Sequence, residues 1–502
     1  MSDAPISAAE KTIIGHPRGL ATLFFTEMWE RFSYYGMRAL LVLFMTDQIA
    51  TGGLGLTDKP ATAIYGLYTA AVYLVALPGG WIADRLLGAQ RAVWFGGIII
   101  MAGHFVLAVP SVQAFFLGLV LVVVGTGLLK PNISAIVGEL YAEGDPRRDA
   151  GFTIFYMGIN LGAAFGPLIC GGLGQSDNWG WHYGFAAAGV GMLFGLIQFR
   201  MTTKYLGDSG RLPSSSGDVD KDLKQRRTGW TIVTIAMLIL ATVVALSLTG
   251  IIKFDAVSLA SVMTYVIVSM AALFFLYVLL FGGLTSVEKK RVVVIIVLFL
   301  GAAMFWSGCE QAGSSLNLFA ERYTDRMVGT FEIPASWFQS LNAIFIILLA
   351  PFYAAMWVGL AKRNMEPATP FKFAVGLIIL ALGFLTMVAA AKIVAAGNQA
   401  MPYWLVLTYL LHTMGELTLS PVGLSATTKL APKRYVGQMM GIWFLAASLG
   451  NLIAGLIAGE FDANNVAAMP DQYMNIVMTT GGAGLILLVL SKPVRSLMGG
   501  IK

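Results

Sequence analysis

Fourteen apolar segments, each long enough to cross a lipid bilayer as a helix, dominate this 502-residue sequence. They lie at 20–47, 61–83, 92–110, 114–138, 152–175, 181–200, 230–251, 259–282, 292–319, 335–359, 371–391, 402–427, 436–458 and 473–491. With 57% hydrophobic and 12% charged residues, the chain is predicted to be an all-α polytopic membrane protein with 14 transmembrane helices.

Lysine and arginine residues are distributed unevenly between the loops. If the N-terminus is cytoplasmic, about 25 of the 33 lie on that side and about five on the other. We therefore expect a multi-pass protein of the cell inner membrane with both termini in the cytoplasm. The net charge of +6 comes from these loops, so no nucleic-acid partner is expected. Residues 1–18 show no cleavable signal, and the first apolar segment is expected to direct insertion.

Charged side chains inside the apolar segments recur at every third segment once the pair at 230–282 is set aside. They are Glu27, Glu30, Arg31 and Arg38 in the first segment, Lys130 in the fourth, and Glu310 and Glu416 in the segments 292–319 and 402–427. Such charges face a protein interior or a water-filled cavity. The period predicts two six-helix halves, each built from two three-helix repeats around a central cavity.

The predicted domain organisation follows this period. Residues 1–200 form an N-terminal six-helix bundle, 201–229 a cytoplasmic linker rich in Ser, Gly, Pro and charge, and 283–502 a C-terminal six-helix bundle. The pair at 230–282 has no charge in its interior. We interpret it as a peripheral insertion.

The stretch 26–38 carries two carboxylates and two guanidiniums within an apolar run. On a helix, Glu27, Arg31 and Arg38 share one face with Tyr34. A structural ion-pair ladder from Glu27 to Arg31 is one interpretation. The other is a proton and substrate site, which the number of charges favours.

The string Glu27-x-x-Glu30-Arg31-Phe32-x-Tyr34-Tyr35-Gly36 resembles the first-helix signature of the proton-coupled oligopeptide transporter family, a branch of the major facilitator superfamily. Further motifs continue this resemblance in the expected order as far as Trp443. It implies the major facilitator fold of two six-helix bundles, with the helix pair that many bacterial members insert between them. It also implies a symporter that imports di- and tripeptides by alternating access, driven by the proton gradient and without a cofactor.

Three motifs leave a second interpretation open. The loop Gly80–Arg91 resembles a superfamily motif in which Asp84, Arg85 and Arg91 would form a conformational gate. The alternative is an ordinary basic cytoplasmic loop, which would have a similar sequence. Lys130, beside Pro131, either binds substrate or pairs permanently with Glu27 or Glu30. An amide such as Asn160 usually bonds a neighbouring helix, whereas in the family it faces substrate.

The resemblance implies a role for each site residue. Arg38 and Lys130 would receive the peptide carboxylate. Asn160, Asn342 and Glu416 would receive the peptide amino group. The other residues of the implied peptide site are Tyr34, Tyr35, Tyr68, Trp306, Gln311, Ser420 and Trp443. The residues implied to handle protons are Glu27, Glu30, Arg31, Lys130 and Glu310.

One departure from the family bears on the proton path. Animal members carry a histidine in the second helix, where this chain has Gly66. The four histidines, His16, His104, His182 and His412, do not obviously replace it. Proton transfer is therefore expected to rest on carboxylates, as in bacterial relatives.

Two other functions remain to be weighed. A proton-coupled carrier of another small anion or zwitterion, such as nitrate or a peptidomimetic, would use the same fold, but the paired carboxylates and Glu416 argue against a simple anion carrier. An intramembrane enzyme would need a nucleophile–base pair or a metal cluster, and no HExxH or GxSxG motif occurs in the sequence. We expect no catalytic residues and no metal, and a protein that functions as a monomer.

Overall fold

The computed structural model describes residues 12–13, 15–142, 145–212, 219–461 and 465–500. Its helices are α1 (Arg18–Thr46), α2 (Asp58–Leu74), α3 (Ala76–Ile82), α4 (Ala89–Leu107), α5 (Val112–Glu139), α6 (Arg148–Gly174), α7 (Trp181–Thr202), α8 (Val219–Leu248), α9 (Ala256–Phe281), α10 (Ser286–Cys309), α11 (Ser315–Tyr323), α12 (Ser340–Lys362), α13 (Thr369–Ala395), α14 (Tyr403–Leu430), α15 (Val436–Ala458) and α16 (Met469–Leu497). Two short antiparallel hairpins pair β1 (Thr12–Ile13) with β2 (His16–Pro17) and β3 (Met327–Val328) with β4 (Phe331–Glu332). Residues 213–218 of the predicted linker, and the chain ends at 1–11 and 501–502, lie outside the described residues.

Within the described residues, twelve helical stretches are long and apolar enough to cross a membrane. Two more helices, α1 and α14, have spanning lengths of 29 and 28 residues. Helix α1 is not among the twelve because every stretch of it that is long enough to cross a membrane contains charged residues. Together these helices agree with the predicted all-α membrane fold and its fourteen spans.

The segment predicted at 292–319 is not one continuous helix. Helix α10 ends at Cys309, the stretch Glu310–Gly313 is a 3₁₀ turn, and α11 begins at Ser315. The segment predicted at 61–83 is also divided, into α2 and α3. The break after α10 matters for function, because it places the backbone of Glu310 at a helix end inside a membrane span.

The chain forms two compact units that divide α1 between them. Unit 1 comprises Met1–Met37 and Val75–Phe254, and unit 2 comprises Arg38–Leu74 and Asp255–Lys502. Helix α2 thus groups with helices that the sequence assigns to the C-terminal bundle. The four-part division remains a prediction, because the units reflect packing, whereas the division was inferred from the repeat.

In unit 1, α4 packs against α5 and α7 around a core that includes Leu23, Ile133 and Met192. Close approach of helices depends on glycine. A Cβ atom added to Gly79 of α3 would lie 1.9 Å from the carbonyl oxygen of Gly127 on α5, so only glycine allows this packing.

In unit 2, α13 packs against α14 and α16, and α15 packs against α2 and α10. The inserted helices are largely exposed: no residue of the α8 spanning window is buried, and only 22% of the α9 window is, against 67% for the window that includes α15. The windows that include α12 and α16 are exposed to a similar extent, at 11% and 22% buried. This exposure supports a peripheral position for the pair.

Candidate substrate and proton site

Unit 1 buries two carboxylates and one guanidinium in successive turns of α1. The Arg31 Nε atom lies 3.2 Å from Glu27 Oε1 and also contacts Glu30, and all three side chains are at most 3% exposed. The pairing that the sequence predicted between Glu27 and Arg31 is present. Because one cation faces two acids, this group needs a proton or a second cation to reach neutrality.

Lys130 supplies a second cation in unit 1. It lies on α5, is half-buried and interacts electrostatically with Glu27. The Arg31 guanidinium also lies over the ring of Tyr34, at 5.1 Å from its centroid, and Tyr34 packs edge-on against Tyr35. Asn160 of α6 is 4% exposed and donates to the Tyr156 carbonyl one turn earlier. Its substrate role remains a prediction.

Unit 2 contains a second buried ion pair. Arg38 Nη2 lies 2.8 Å from Glu310 Oε2, and the two side chains are 9% and 7% exposed. The segment 292–319 contains no cation, so Glu310 has to pair with a residue of another segment. In this structure Arg38 forms the pair.

Glu416 of α14 lies near this pair. Its Oε2 atom accepts a hydrogen bond of 2.9 Å from the Asn342 amide, which also donates to the Thr413 hydroxyl at 3.1 Å. Glu416 interacts electrostatically with both Glu310 and Arg38. One guanidinium therefore serves two carboxylates, so the group can accept an ammonium ion or a proton.

The aromatic residues predicted for the peptide site in unit 2 are buried or half-buried. Tyr68 is 4% exposed, Trp306 is half-buried beside Phe305, and Trp443 is 9% exposed. Trp443 packs edge-on against Phe373. Their contact with substrate remains a prediction.

Gln311 and Ser420 differ in their surroundings. Gln311 is fully buried and donates to the Ser307 and Ala454 carbonyls, while its oxygen accepts a hydrogen bond from Ser315. In this conformation its amide therefore ties α10 to α15. Ser420 is half-buried on α14, and its role stays a prediction.

The residues of the predicted gate lie together at the end of α3. Asp84 and Arg85 belong to a π-helical turn, Ala83–Leu87, and Arg91 follows in α4. All three are exposed, and no ion pair to them is recorded within the described part of the chain. Their role as a gate remains a prediction.

Two ion pairs near the start of α2 were not predicted. Asp58 accepts two hydrogen bonds, of 2.6 and 2.8 Å, from the Arg322 guanidinium. Lys59 lies 2.9 Å from Glu460. The partners lie 264 and 401 residues apart in the chain, so no local sequence pattern indicates these pairs.

Gly66 lies where α2 packs closely against α15. A Cβ atom there would lie 3.1 Å from both the Asn451 carbonyl oxygen and the Gly455 Cα atom of α15. A larger side chain at position 66 would therefore require α2 and α15 to move slightly apart. Proton transfer through the carboxylates agrees with this restriction.

A protein-family model described as "PTR2: POT family" matches residues 90–474. Among curated proteins, the chain is 45% identical over 498 residues to "Peptide transporter YePEPT" of Yersinia enterocolitica subsp. palearctica, covering 97% of this chain and 96% of that protein. The chain belongs to the POT family. Another member, the "Di-/tripeptide transporter" of Lactococcus lactis subsp. cremoris, is 38% identical over 516 residues, with 99% of each chain covered.

Solved structures of POT family members have the same fold. A crystal structure described as peptide transporter POT in complex with sulfate superposes with a TM-score of 0.89 at 41% identity and covers 98% of each chain. A variant described as a complex with alafosfalin gives a TM-score of 0.88, again at 41% identity and with 98% of each chain covered. The major facilitator fold implied by the sequence is thereby confirmed.

Proposed function

We propose that this protein is a proton-coupled symporter that imports di- and tripeptides across the cytoplasmic membrane by alternating access. The observation that carries the proposal is the buried Arg38–Glu310 pair, with the carboxylate of Glu416 close enough to interact with both. The names of its POT relatives, which include a peptide transporter and a di-/tripeptide transporter, support the substrate class.

A short peptide is a zwitterion whose ammonium and carboxylate lie a few ångströms apart. Glu416 and Asn342, joined at 2.9 Å, offer acceptor oxygens to the ammonium, and Arg38 offers a guanidinium to the carboxylate. The family resemblance also assigns Asn160 to the peptide amino group and Lys130 to the peptide carboxylate. The remaining proposed contacts are Tyr34, Tyr35, Tyr68, Trp306, Gln311, Ser420 and Trp443.

Proton coupling follows from competition for Arg38. When Glu310 is ionised, the guanidinium is held in the ion pair; when Glu310 takes a proton, Arg38 becomes available to the peptide carboxylate. Proton and peptide would therefore bind together. The group of Glu27, Glu30, Arg31 and Lys130 also brings acids and cations together, and we assign it to proton handling.

The setting of the transporter follows from the charge distribution. We assign it to the cell inner membrane, with both termini cytoplasmic and Asp84, Arg85 and Arg91 acting as a cytoplasmic gate. It would work as a monomer, without a cofactor, since each six-helix half can contribute to one site in the same chain.

Flux into proteoliposomes under an imposed pH gradient tests this function. Purified protein should concentrate radiolabelled dialanine against its gradient when the outside is acidic, and a protonophore should abolish the accumulation. Free alanine and nitrate should not accumulate. Accumulation of nitrate without dialanine would favour an anion carrier, and release of free alanine from dialanine would indicate a peptidase.

A further inference from the structure

We propose that Tyr65 and Asn317 are positioning residues that hold Arg38 within reach of Glu310, an inference that rests on the function proposed above. Neither residue belongs to the motifs singled out in the sequence. Both lie in unit 2 with Arg38, and both are almost completely buried, at 0% and 1% exposure.

Tyr65 of α2 lies between the guanidinium and the turn that carries Glu310. The Arg38 Cζ atom lies 5.7 Å from the centroid of its ring, a cation–π distance. At the other end of the ring, the hydroxyl reaches Gly313, where an added Cβ atom would lie 1.9 Å away. The tyrosine thus fits between Arg38 and the Glu310–Gly313 turn, and only glycine at 313 leaves space for it.

Asn317 of α11 fixes the backbone next to Arg38. Its side-chain amide donates a hydrogen bond of 2.9 Å to the carbonyl oxygen of Ala39, and Gln339 donates to the same oxygen at 3.4 Å. The carbonyl group of Ala39 is thereby tied to the span that also carries Glu310. Asn317 therefore limits how far the backbone of Arg38 moves from its partner.

Burial of the Asn317 side-chain oxygen is energetically unfavourable, and a residue that only filled space would avoid this penalty. The Asn317 Oδ1 atom is buried and has no hydrogen-bond partner among the described residues. A buried acceptor without a partner is unfavourable, and an apolar side chain of similar size would remove the penalty. The bond to Ala39 gives a reason for an amide at this position.

These contacts bear on coupling because arginine has a long, flexible side chain. Without the ring and the fixed backbone, the guanidinium samples more rotamers and spends less time at Glu310. The transporter would then change conformation without a proton more often. We expect peptide exchange to persist while uphill, proton-driven accumulation falls.

The test compares four variants in proteoliposomes. Asn317→Ala and Tyr65→Leu remove the two contacts. Tyr65→Phe keeps the ring. Asn451→Ala is a matched control: Asn451 is equally buried, its Oδ1 atom also has no partner among the described residues, and its amide donates within its own helix to Ala447. The readout is the ratio of pH-driven dialanine accumulation to dialanine exchange between equal pools.

We expect the ratio to fall about tenfold in both variants. This factor corresponds to loss of one buried hydrogen bond in Asn317→Ala and of one desolvated cation–π contact in Tyr65→Leu. Tyr65→Phe and Asn451→Ala should stay within about twofold of the wild type, the difference made by less than half a kcal/mol. A residue that acted only in folding would lower accumulation and exchange together and leave their ratio unchanged.

A second measurement does not depend on transport. Cys309 precedes Glu310, is half-buried and interacts electrostatically with Glu310 and Glu416, whereas the other cysteine, Cys170, is fully buried in unit 1. The thiolate is the form that reacts with a maleimide, and a carboxylate without its cation disfavours a neighbouring thiolate. If Arg38 moves away from Glu310, a small maleimide should therefore alkylate Cys309 more slowly. Alkylation followed by mass spectrometry should show slower modification in Asn317→Ala and Tyr65→Leu but not in Asn451→Ala.

The two readouts separate the two proposals. Wild-type protein that fails to move dialanine would overturn the proposed function, and the alkylation rates alone would then decide the positioning role. If wild-type protein transports dialanine, the inference requires both readouts to change in both variants. A wild-type ratio or a wild-type alkylation rate in either of them overturns it.

Discussion

Arg38 and Glu310 form a buried ion pair, with the Nη2 and Oε2 atoms 2.8 Å apart and neither side chain more than 9% exposed. Removing one partner of such a pair leaves the other charge buried without compensation. A pair of this kind is therefore suited to a site where a proton or a ligand replaces one partner during the cycle.

Glu310→Gln should separate exchange from accumulation. The glutamine cannot ionise, so it imitates the protonated carboxyl and leaves Arg38 available to the peptide. We expect dialanine exchange between equal pools to continue, whereas pH-driven accumulation is lost. Both are measured in the same proteoliposomes, and concentrative uptake by the variant would show that Glu310 does not couple the proton.

Glu416→Ala should weaken substrates according to their amino group. The proposed ammonium–carboxylate contact is charge-assisted and shielded from water, so its loss should cost roughly 2–4 kcal/mol, which is about a 30- to 800-fold loss of affinity. Competition assays would compare dialanine with its N-acetylated analogue, which lacks the ammonium. Equal losses for the two compounds would mean that Glu416 acts only through its bond to Asn342.

The sequence indicated which charged residues lie inside the helices but not all of their contacts. Charges in otherwise apolar segments singled out Arg38, Glu310 and Glu416, because charged side chains at bilayer depth face a protein interior or a cavity, and the structure buries Arg38 and Glu310 as an ion pair. Their roles in transport remain predictions. The sequence did not predict that Asn342 would bond Glu416, or that α10 would end beside Glu310. Both depend on which side chains two helices bring together, and a one-dimensional pattern does not contain that information.

Glycine packing shows the same limit. The predicted gate motif begins at Gly80, yet a Cβ atom added there would meet nothing within 4 Å. The neighbouring Gly79 is the one that touches the Gly127 carbonyl. Both glycines look alike in the sequence, and only the helix contact distinguishes them.

This difference gives a paired stability prediction. Gly79→Ala should push α3 away from α5 and destabilise unit 1 by roughly 1–3 kcal/mol, as overpacking commonly does. Gly80→Ala should leave stability unchanged or slightly raised, since alanine favours the helix. Thermal unfolding of the purified proteins in detergent measures both, and equal midpoints for the two variants would refute the assigned contact.

The two ion pairs at the start of α2 should also differ in strength. Asp58 and Arg322 are 15% and 29% exposed and form two hydrogen bonds, whereas Lys59 and Glu460 are 53% and 68% exposed. We expect Asp58→Asn to destabilise the protein by about 1 kcal/mol and Lys59→Gln by much less, because solvent screens exposed pairs. Thermal unfolding again provides the measurement, with Asp58→Arg/Arg322→Asp as a charge-reversed variant that should recover part of the loss. A larger effect at Lys59 would contradict this ranking.

The central claim is that peptide and proton move together, and peptide-driven proton movement tests it most directly. Proteoliposomes would contain a pH-sensitive dye, with equal pH on both sides and the membrane potential clamped, and dialanine would be added outside. The account predicts that the lumen becomes acidic with wild-type protein, that free alanine has no effect, and that Glu310→Gln abolishes the signal while still exchanging dialanine. Dialanine entry through the wild-type protein without any change in internal pH would contradict it.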